Sequence, residues 1–441
     1  MTLTAMPKYD TYKDSGVEWL GDIPHEWKLI SLKRTVVGCV NGLWGKDPNN
    51  TNDIIVLRVA DFERNKLKIN DKKLTVRSIP LKDRGGRLLK KGDLLIEKSG
   101  GGDKTLVGCV VLFDKDYDAI TSNFVAKMTP KDKFDARFLC YLFSALYSSG
   151  VNYRSIKQTT GIQNLDSDAY LSEVAAFPLW RTQVAIANFL DQKTTQIDEA
   201  IAIKEQQIAL LNERKQILIQ QAVTQGLDPT VPMKNSGVAW IGKIPEHWQV
   251  KRLKFVLDER SERSLTGEEP LFMVSQQYGL VVRADYHEKA VVAASNIDSK
   301  IVYKNDLVFN KLKAHLGVFF KSNMDFKGLV SPDYAVYKVK DYISDTKILE
   351  LLFRNPLYIE QFTIRATGIV EGLIRLYTSD LFDISIPIAP KDEQLKILAH
   401  IEKMSVLFDK TIEIHRDQCE KLKEYKTTLI NSAVTGKIKV V

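Results

Sequence analysis

The chain has 441 residues, enough for two to four domains at about 100–200 residues each, and its 44% hydrophobic content supplies sizeable cores. No stretch approaches the ~18 consecutive apolar residues of a membrane span. The four cysteines are scattered without a C-x-x-C pair, which excludes a zinc site of ordinary spacing; a reducing, cytoplasmic location is expected. The 63 Lys and Arg against 55 Asp and Glu leave a formal charge of +8, a balance that suits an anionic partner such as nucleic acid.

The first element is a tryptophan motif at residues 13–33, KDSGVEWLGDIPHEWKLISLK. Its Trp19 and Trp27, with Ile23 and Pro24 between them, form an apolar clamp suited to holding a helix end against a globular block. Short β-rich runs follow at Ile54–Val59, Asp93–Ile96 and Cys109–Phe113, then a helical stretch at about 135–148. Residues 183–226 carry an apolar stripe through Leu190, Ile197, Ile201, Ile208, Leu211 and Leu218 with a helical period. This segment contains no Pro, and Gly226 stands at its end as a helix stop.

The same series then recurs. Residues 234–254 read KNSGVAWIGKIPEHWQVKRLK, with Ser236, Trp240 and Trp248 at a constant offset of 221 from Ser15, Trp19 and Trp27. Strand-like runs appear at Asp306–Phe309 and Gly317–Phe320, and a helical stretch at about 345–363. Residues 394–436 repeat the long helix at an offset of 211, with Phe408, Ile412, Cys419, Leu422 and Leu429 in register and Gly436 as its stop. Lys204 and His415 interrupt the two stripes at matching positions, as register-fixing polar residues do. The expected fold is α+β: two globular blocks with twisted β-sheets and two long helices pairing antiparallel as a coiled coil, with a pseudo-twofold internal repeat. Two unrelated bundle helices in separate domains are the alternative.

Between the repeated frames the blocks differ, and there they are polar and basic. Candidate DNA-contacting residues in the first block are Lys98, Ser99, Lys104, Arg154, Lys157, Gln158, Gln163 and Asn164. In the second they are Gln276, Gln277, Tyr278, Lys311, Lys313, His315, Arg365 and Arg375. Lys and Arg suit phosphates, while Arg reads guanine and Gln or Asn reads adenine by paired hydrogen bonds. Each such side chain is equally compatible with a solvated loop.

Three near-motifs fall short of catalysis. Asn355-Pro356-Leu357-Tyr358 lacks the second Pro of the N-P-P-Y signature of amino-methyltransferases and has no Gly-rich cofactor loop upstream. SGGGDKT at 99–105 has Asp103 where a phosphate-binding loop needs its second Gly, and reads instead as a flexible, DNA-facing loop. Glu424-Tyr425-Lys426 matches a nuclease-like E-x-K but lies on a long helix. No catalytic residue, metal site or cofactor site is expected in this chain.

The order of motif, variable block and long helix, repeated once, resembles the specificity subunits of Type I restriction–modification systems. The resemblance covers nearly the whole chain. It rests on WLGDIPHEW and WIGKIPEHW, KGDLLIEKSG, SPDYAVYK at 331–338, and the Q-x-x-I starts of the helices (Gln183 to Ile186, Gln394 to Ile397). It implies target recognition domains at 1–182 and 227–393, each reading half of a split DNA site. It implies a spacer helix at 183–226, and a second spacer helix and tail at 394–441, that set the gap and dock two methyltransferase subunits. Up to two motor-nuclease subunits would join, and S-adenosylmethionine, ATP and Mg would belong to those partners. A coiled-coil protein scaffold and a single-chain restriction–methylation enzyme are the competing readings.

Overall fold

The computed structural model describes residues 6–101, 105–159, 161–286, 296–368 and 375–440. The chain divides into two compact units, residues 1–205 with 416–441, and residues 206–415. The long helices, Trp180–Gln225 and Lys391–Val434, begin three residues before the expected positions.

In the first unit, a four-stranded antiparallel sheet runs in the order Val110–Leu112, Leu94–Glu97, Val125–Pro130, Val36–Asn41. Leu94, Leu95, Ile96 and Glu97 are all fully buried, which is why this strand reads as an apolar run and not as an alternation. The helix Ala136–Ser148 packs on one face through Phe138, Leu142 and Leu146, and Asp135 caps it by accepting the N–H groups of Arg137 and Phe138. A second sheet, Ala119–Thr121, Asp53–Leu57, Thr75–Ser78, lies beside it. In the second unit, the same four-stranded order is made by Phe319–Lys321, Leu307–Asn310, Tyr334–Val339 and Leu257–Glu259.

The single helix expected at about 345–363 is two helices, Lys347–Phe353 and Pro356–Arg365. Pro356 has no N–H and biases the residue before it away from helical ψ. Asn355 accordingly sits at ψ 132 and caps the second helix by accepting the Leu357 N–H at 3.0 Å. This occupies the asparagine of the methyltransferase-like near-motif in a structural role.

Each unit contains parts of both long helices, packed against each other antiparallel. In the first unit Lys426 bonds both carboxylate oxygens of Asp198 at 2.7 Å, and Lys423 lies near Glu205; the partner numbers run in opposite directions. In the second unit Lys215 holds Asp409 at 2.7 Å, while Gly226 lies against Glu393. Of the expected stripe, Leu190, Ile197 and Leu429 join the buried core of the first unit, while Ile208, Leu211, Leu218, Phe408 and Leu422 are half-buried; in the second unit the core takes the neighbouring Ile219, Val223, Ile397 and Ile401.

The tryptophan motifs are hairpins that hold helix ends. Tyr12–Asp14 pairs with Asp22–Pro24, and Met233–Asn235 with Lys243–Pro245. In both, the serine hydroxyl (Ser15, Ser236) accepts the N–H two residues on, and a glycine at positive φ (Gly21, Gly242) closes the turn. Gly436, at φ +75°, is pressed against Pro24 and Trp27, and the Tyr12 hydroxyl donates to its carbonyl at 3.1 Å. Gly226, at φ +81°, sits likewise against Trp248, whose indole N–H donates to Glu393 at 3.1 Å. Both glycines occupy the left-handed conformation of a helix stop.

The Q-x-x-I starts are buried locks. The Gln183 amide accepts the Asp135 N–H at 3.1 Å and donates to the carbonyls of Lys133 and Pro178. The Gln394 amide accepts from the Ser344 N–H and hydroxyl, both at 3.0 Å, and donates to Tyr342 and Ala389 at 2.8 and 2.9 Å. Each glutamine ties its long helix to the loop before or at the start of the neighbouring shorter helix.

Candidate nucleic-acid interface

In the first unit, the buried strand Leu94–Glu97 leaves the core at Lys98 and hands the chain to a small outer sheet. Ser99–Gly100 pairs with Gln163–Asn164, and Ile162–Leu165 pairs on its other side with Ile156–Thr159. The anchor is a main-chain bond from the Leu165 N–H to the Lys98 carbonyl at 2.8 Å. This sheet gathers Lys98, Ser99, Lys157, Gln158, Gln163 and Asn164. Gly101 is required here: at φ +67° its Cβ would lie 2.7 Å from the Thr105 carbonyl and 2.9 Å from the Gln163 amide oxygen. Ser99 and Gly100 of SGGGDKT are therefore strand-paired; Gly102 and Asp103, on which the expected flexible loop also falls, lie outside the described residues. Lys104 lies outside the described residues.

The side chains gathered there are not equivalent. Asn164 and Gln158 are exposed, and the Ser99 hydroxyl donates to Asn164 Oδ1 at 2.5 Å. Gln163 is buried, with its Oε1 accepting the Val107 N–H at 3.1 Å. It supports the hairpin from inside, because strand alternation turns it away from the face that Asn164 shares. Lys157 is exposed and pairs with Asp166 at 2.7 Å; hydrogen bonding to the ammonium and to the Ala169 N–H holds that carboxyl below its ordinary range. Arg154 stands on the preceding turn, paired with Glu18 at 3.2 Å. Under the sheet, Glu97 is fully buried against Arg64 at 2.7 Å; burial pushes its carboxyl up, and the guanidinium offsets part of that rise.

The second unit builds the same corner from other residues. Leu307–Asn310 ends at Lys311, and the Leu376 N–H donates to the Lys311 carbonyl at 3.1 Å, the counterpart of Leu165 on Lys98. The turn Lys311–Leu316 packs on the helix Pro356–Arg365 through Gly317 and Ile359, and Thr367 bridges to Arg375. Lys311, Lys313, His315, Arg365 and Arg375 thus belong to one corner. Lys313 and His315 are exposed. Lys311 is mostly buried and turned toward Glu259 at 3.4 Å. Arg365 bonds the Gln361 side chain at 2.6 Å, and Arg375 is held by Asp333 at 3.1 Å. Gln276, Gln277 and Tyr278 occupy a different element, the tip of the hairpin Phe272–Ser275/Gly279–Val282, where the Tyr278 ring lies 4.7 Å from that of Tyr286.

Sequence reasoning missed two positions at these corners. Phe124 is 46% exposed beside Ser99, and its carbonyl accepts the N–H groups of Lys98 and Ser99 at 2.8 and 3.3 Å. Asp333, which orients Arg375, is its counterpart. The available signal was the match of Ser122-Asn123-Phe124-Val125-Ala126 to Ser331-Pro332-Asp333-Tyr334-Ala335. A further exposed aromatic, Trp44, is stacked by Arg77 at 4.6 Å.

Comparison with known proteins agrees with this architecture. Residues 43–213 match the family model of the Type I restriction modification DNA specificity domain. Two curated relatives come from Methanocaldococcus jannaschii. The type I restriction enzyme MjaVIII specificity subunit is 24% identical, covering 73% of this chain and 75% of its own. The putative type I restriction enzyme MjaX specificity subunit is 23% identical, covering 96% of each. Among solved structures, a chain from a study of complex assembly and conformational transition of the type I R-M system superposes with a TM-score of 0.66 at 15% identity, covering 93% of this chain and 98% of that one. The HsdS subunit from Thermoanaerobacter tengcongensis superposes at 0.54 and 14% identity, covering 94% and 98%.

Proposed function

We infer that this chain, which belongs with the type I restriction–modification specificity subunits, is the sequence-reading component of such an enzyme and leaves catalysis to its partners. Each variable block reads one half of a bipartite, asymmetric site in double-stranded DNA. The observation that carries this reading is the duplicated corner. One shared backbone anchor, with Leu165 on Lys98 and Leu376 on Lys311, presents Ser99, Lys157 and Asn164 on one face in one block and Lys313, His315 and Arg375 in the other. A shared main-chain anchor with different chemistry around it suits one mechanical task performed on two different targets.

The helix segments fix the gap between half-sites and dock two methyltransferase subunits; up to two motor-nuclease subunits complete the restricting complex. S-adenosylmethionine, ATP and Mg act in those partners. A helix of 46 residues spans about 69 Å at 1.5 Å per residue, ample for a gap of a few base pairs. Apolar side chains left half-exposed on the helices, Leu210, Leu395, Val406 and Leu407 among them, support the docking of partner subunits there.

The test is a block exchange. Replacing residues 235–393 with those of a relative, and mapping methylated adenines in a host that also carries the methyltransferase, should change one half-site and leave the other. Inserting one helical turn (about four residues, ~6 Å) near Ala209 should widen the gap by one or two pairs and leave both half-sites intact. A purified chain that methylates DNA alone would overturn the division of labour.

A further inference from the structure

The duplicated frame contains one position where the two blocks present opposite chemistry on the same backbone. In the first block the turn after Ala119–Thr121 is closed by the Val125 N–H donating to the Ser122 carbonyl at 3.1 Å; in the second, the Tyr334 N–H donates to the Ser331 carbonyl at 2.9 Å. The residue before the closing N–H is Phe124 in one and Asp333 in the other. Asp333 fixes the Arg375 guanidinium. Phe124 instead offers a half-exposed ring.

Two observations set the residue apart. Its carbonyl accepts the N–H groups of both Lys98 and Ser99, so its backbone is pinned. Ser99 in turn bonds Asn164, a side chain suited to base edges. Ile162, on the strand that carries Asn164, is a second exposed apolar side chain at this corner. A single exposed Phe on a protein surface means nothing by itself, but a pinned one inside a reading corner, replaced by a carboxylate in the twin corner, marks a position where chemistry is selected. Among the base edges in the major groove, the one apolar feature is the C5 methyl of thymine, and Phe is among the side chains that contact it.

We propose that Phe124 is a specificity-determining residue that packs on the C5 methyl of one thymine in the half-site read by the first block. The proposal rests on the function inferred above. It assigns Phe124 to apolar readout, with Ser99 and Asn164 supplying polar readout beside it.

The experiment uses the full chain assembled with its methyltransferase partner and a duplex carrying its mapped site. Each thymine of the first half-site is replaced in turn by deoxyuridine, which lacks only the methyl. Wild-type complex should lose about fourfold in affinity at one position, the effect of one buried methyl. Phe124→Ala should bind the thymine and deoxyuridine duplexes equally at that position, and Phe124→Leu should retain part of the difference. Thymines of the second half-site should respond identically in all three proteins. A Phe124→Ala complex that keeps every deoxyuridine penalty overturns the proposal. So does one that weakens all duplexes uniformly, as loss of an intercalating wedge would, or a first half-site without thymine on either strand. A complex that binds no duplex specifically overturns the DNA-reading function itself, and is thereby told apart from failure of the Phe124 assignment.

Discussion

Removing the Gln394 side chain should detach the start of the second long helix from the block it follows. Gln394 is 2% exposed and its amide serves four partners, the Ser344 N–H and hydroxyl and the carbonyls of Tyr342 and Ala389. In Gln394→Ala the Ser344 hydroxyl can turn to water, and Tyr342, an exposed residue, can have its carbonyl rehydrated. The buried Ala389 carbonyl is left without its donor. One net bond costs about 1 kcal/mol, and an orphaned buried partner about 1–3, so the total should be about 3 kcal/mol. Gln183 has three partners with longer bonds, 3.0 to 3.3 Å, and Gln183→Ala should cost about 2 kcal/mol by the same reasoning. Gln394→Glu should be worse than alanine, because a carboxylate oxygen would then face two carbonyls at 2.8 and 2.9 Å. Amide hydrogen exchange separates the two units. Gln394→Ala should accelerate exchange by about two orders of magnitude in residues 342–349 and at the helix start, leaving residues 133–139 protected. A loss below about 1 kcal/mol, or equal acceleration around Asp135, would refute the view that each glutamine locks its own helix to its own block.

Three further outcomes follow from the packing. Lys426→Met strands Asp198 and the Asn65 carbonyl, with Lys426 only 12% exposed, and should cost about 2 kcal/mol in urea denaturation. Lys215→Met should cost about 0.5, because its partner Asp409 is 63% exposed and rehydrates. Gly436→Ala places a Cβ 2.4 Å from Pro24 Cδ at φ +75° and should cost about 3 kcal/mol. Gly237→Ala, at φ +77° with nothing within 4 Å, should cost only about 1; thermal unfolding of the pair separates clash from backbone strain. Glu269 is held at about 2 by the Ser264 hydroxyl and Lys327. A carboxyl depressed in the folded state contributes stability above its ordinary value of 4.5 that is lost as pH falls toward 2. The difference in Tm between wild type and Glu269→Gln should therefore be constant above about pH 5 and close below it.

The sequence determined the frame of this protein, because duplication and periodicity are one-dimensional signals. Eleven identical residues at a constant offset placed the tryptophan motifs, and an apolar stripe without Pro placed both long helices to within three residues. The strands at Leu94–Glu97 and Leu307–Asn310 were legible because burial on both faces leaves an apolar run. Tertiary structure decided what the polar residues do. Gln163 and Asn164 are adjacent and chemically alike, yet strand alternation buries one and exposes the other. Lys311 and Lys313 differ in the same way, because Glu259 comes from a strand fifty residues earlier. Phe124, which no sequence pattern singled out, stands half-exposed on a backbone whose carbonyl accepts the Lys98 and Ser99 N–H groups. Helix pattern depends on neighbours along the chain, whereas the face and partner of a polar side chain depend on strands brought together from distant segments. That is why the sequence yielded two heads and their long helices, and only the fold showed which residues at the corner of each head are exposed.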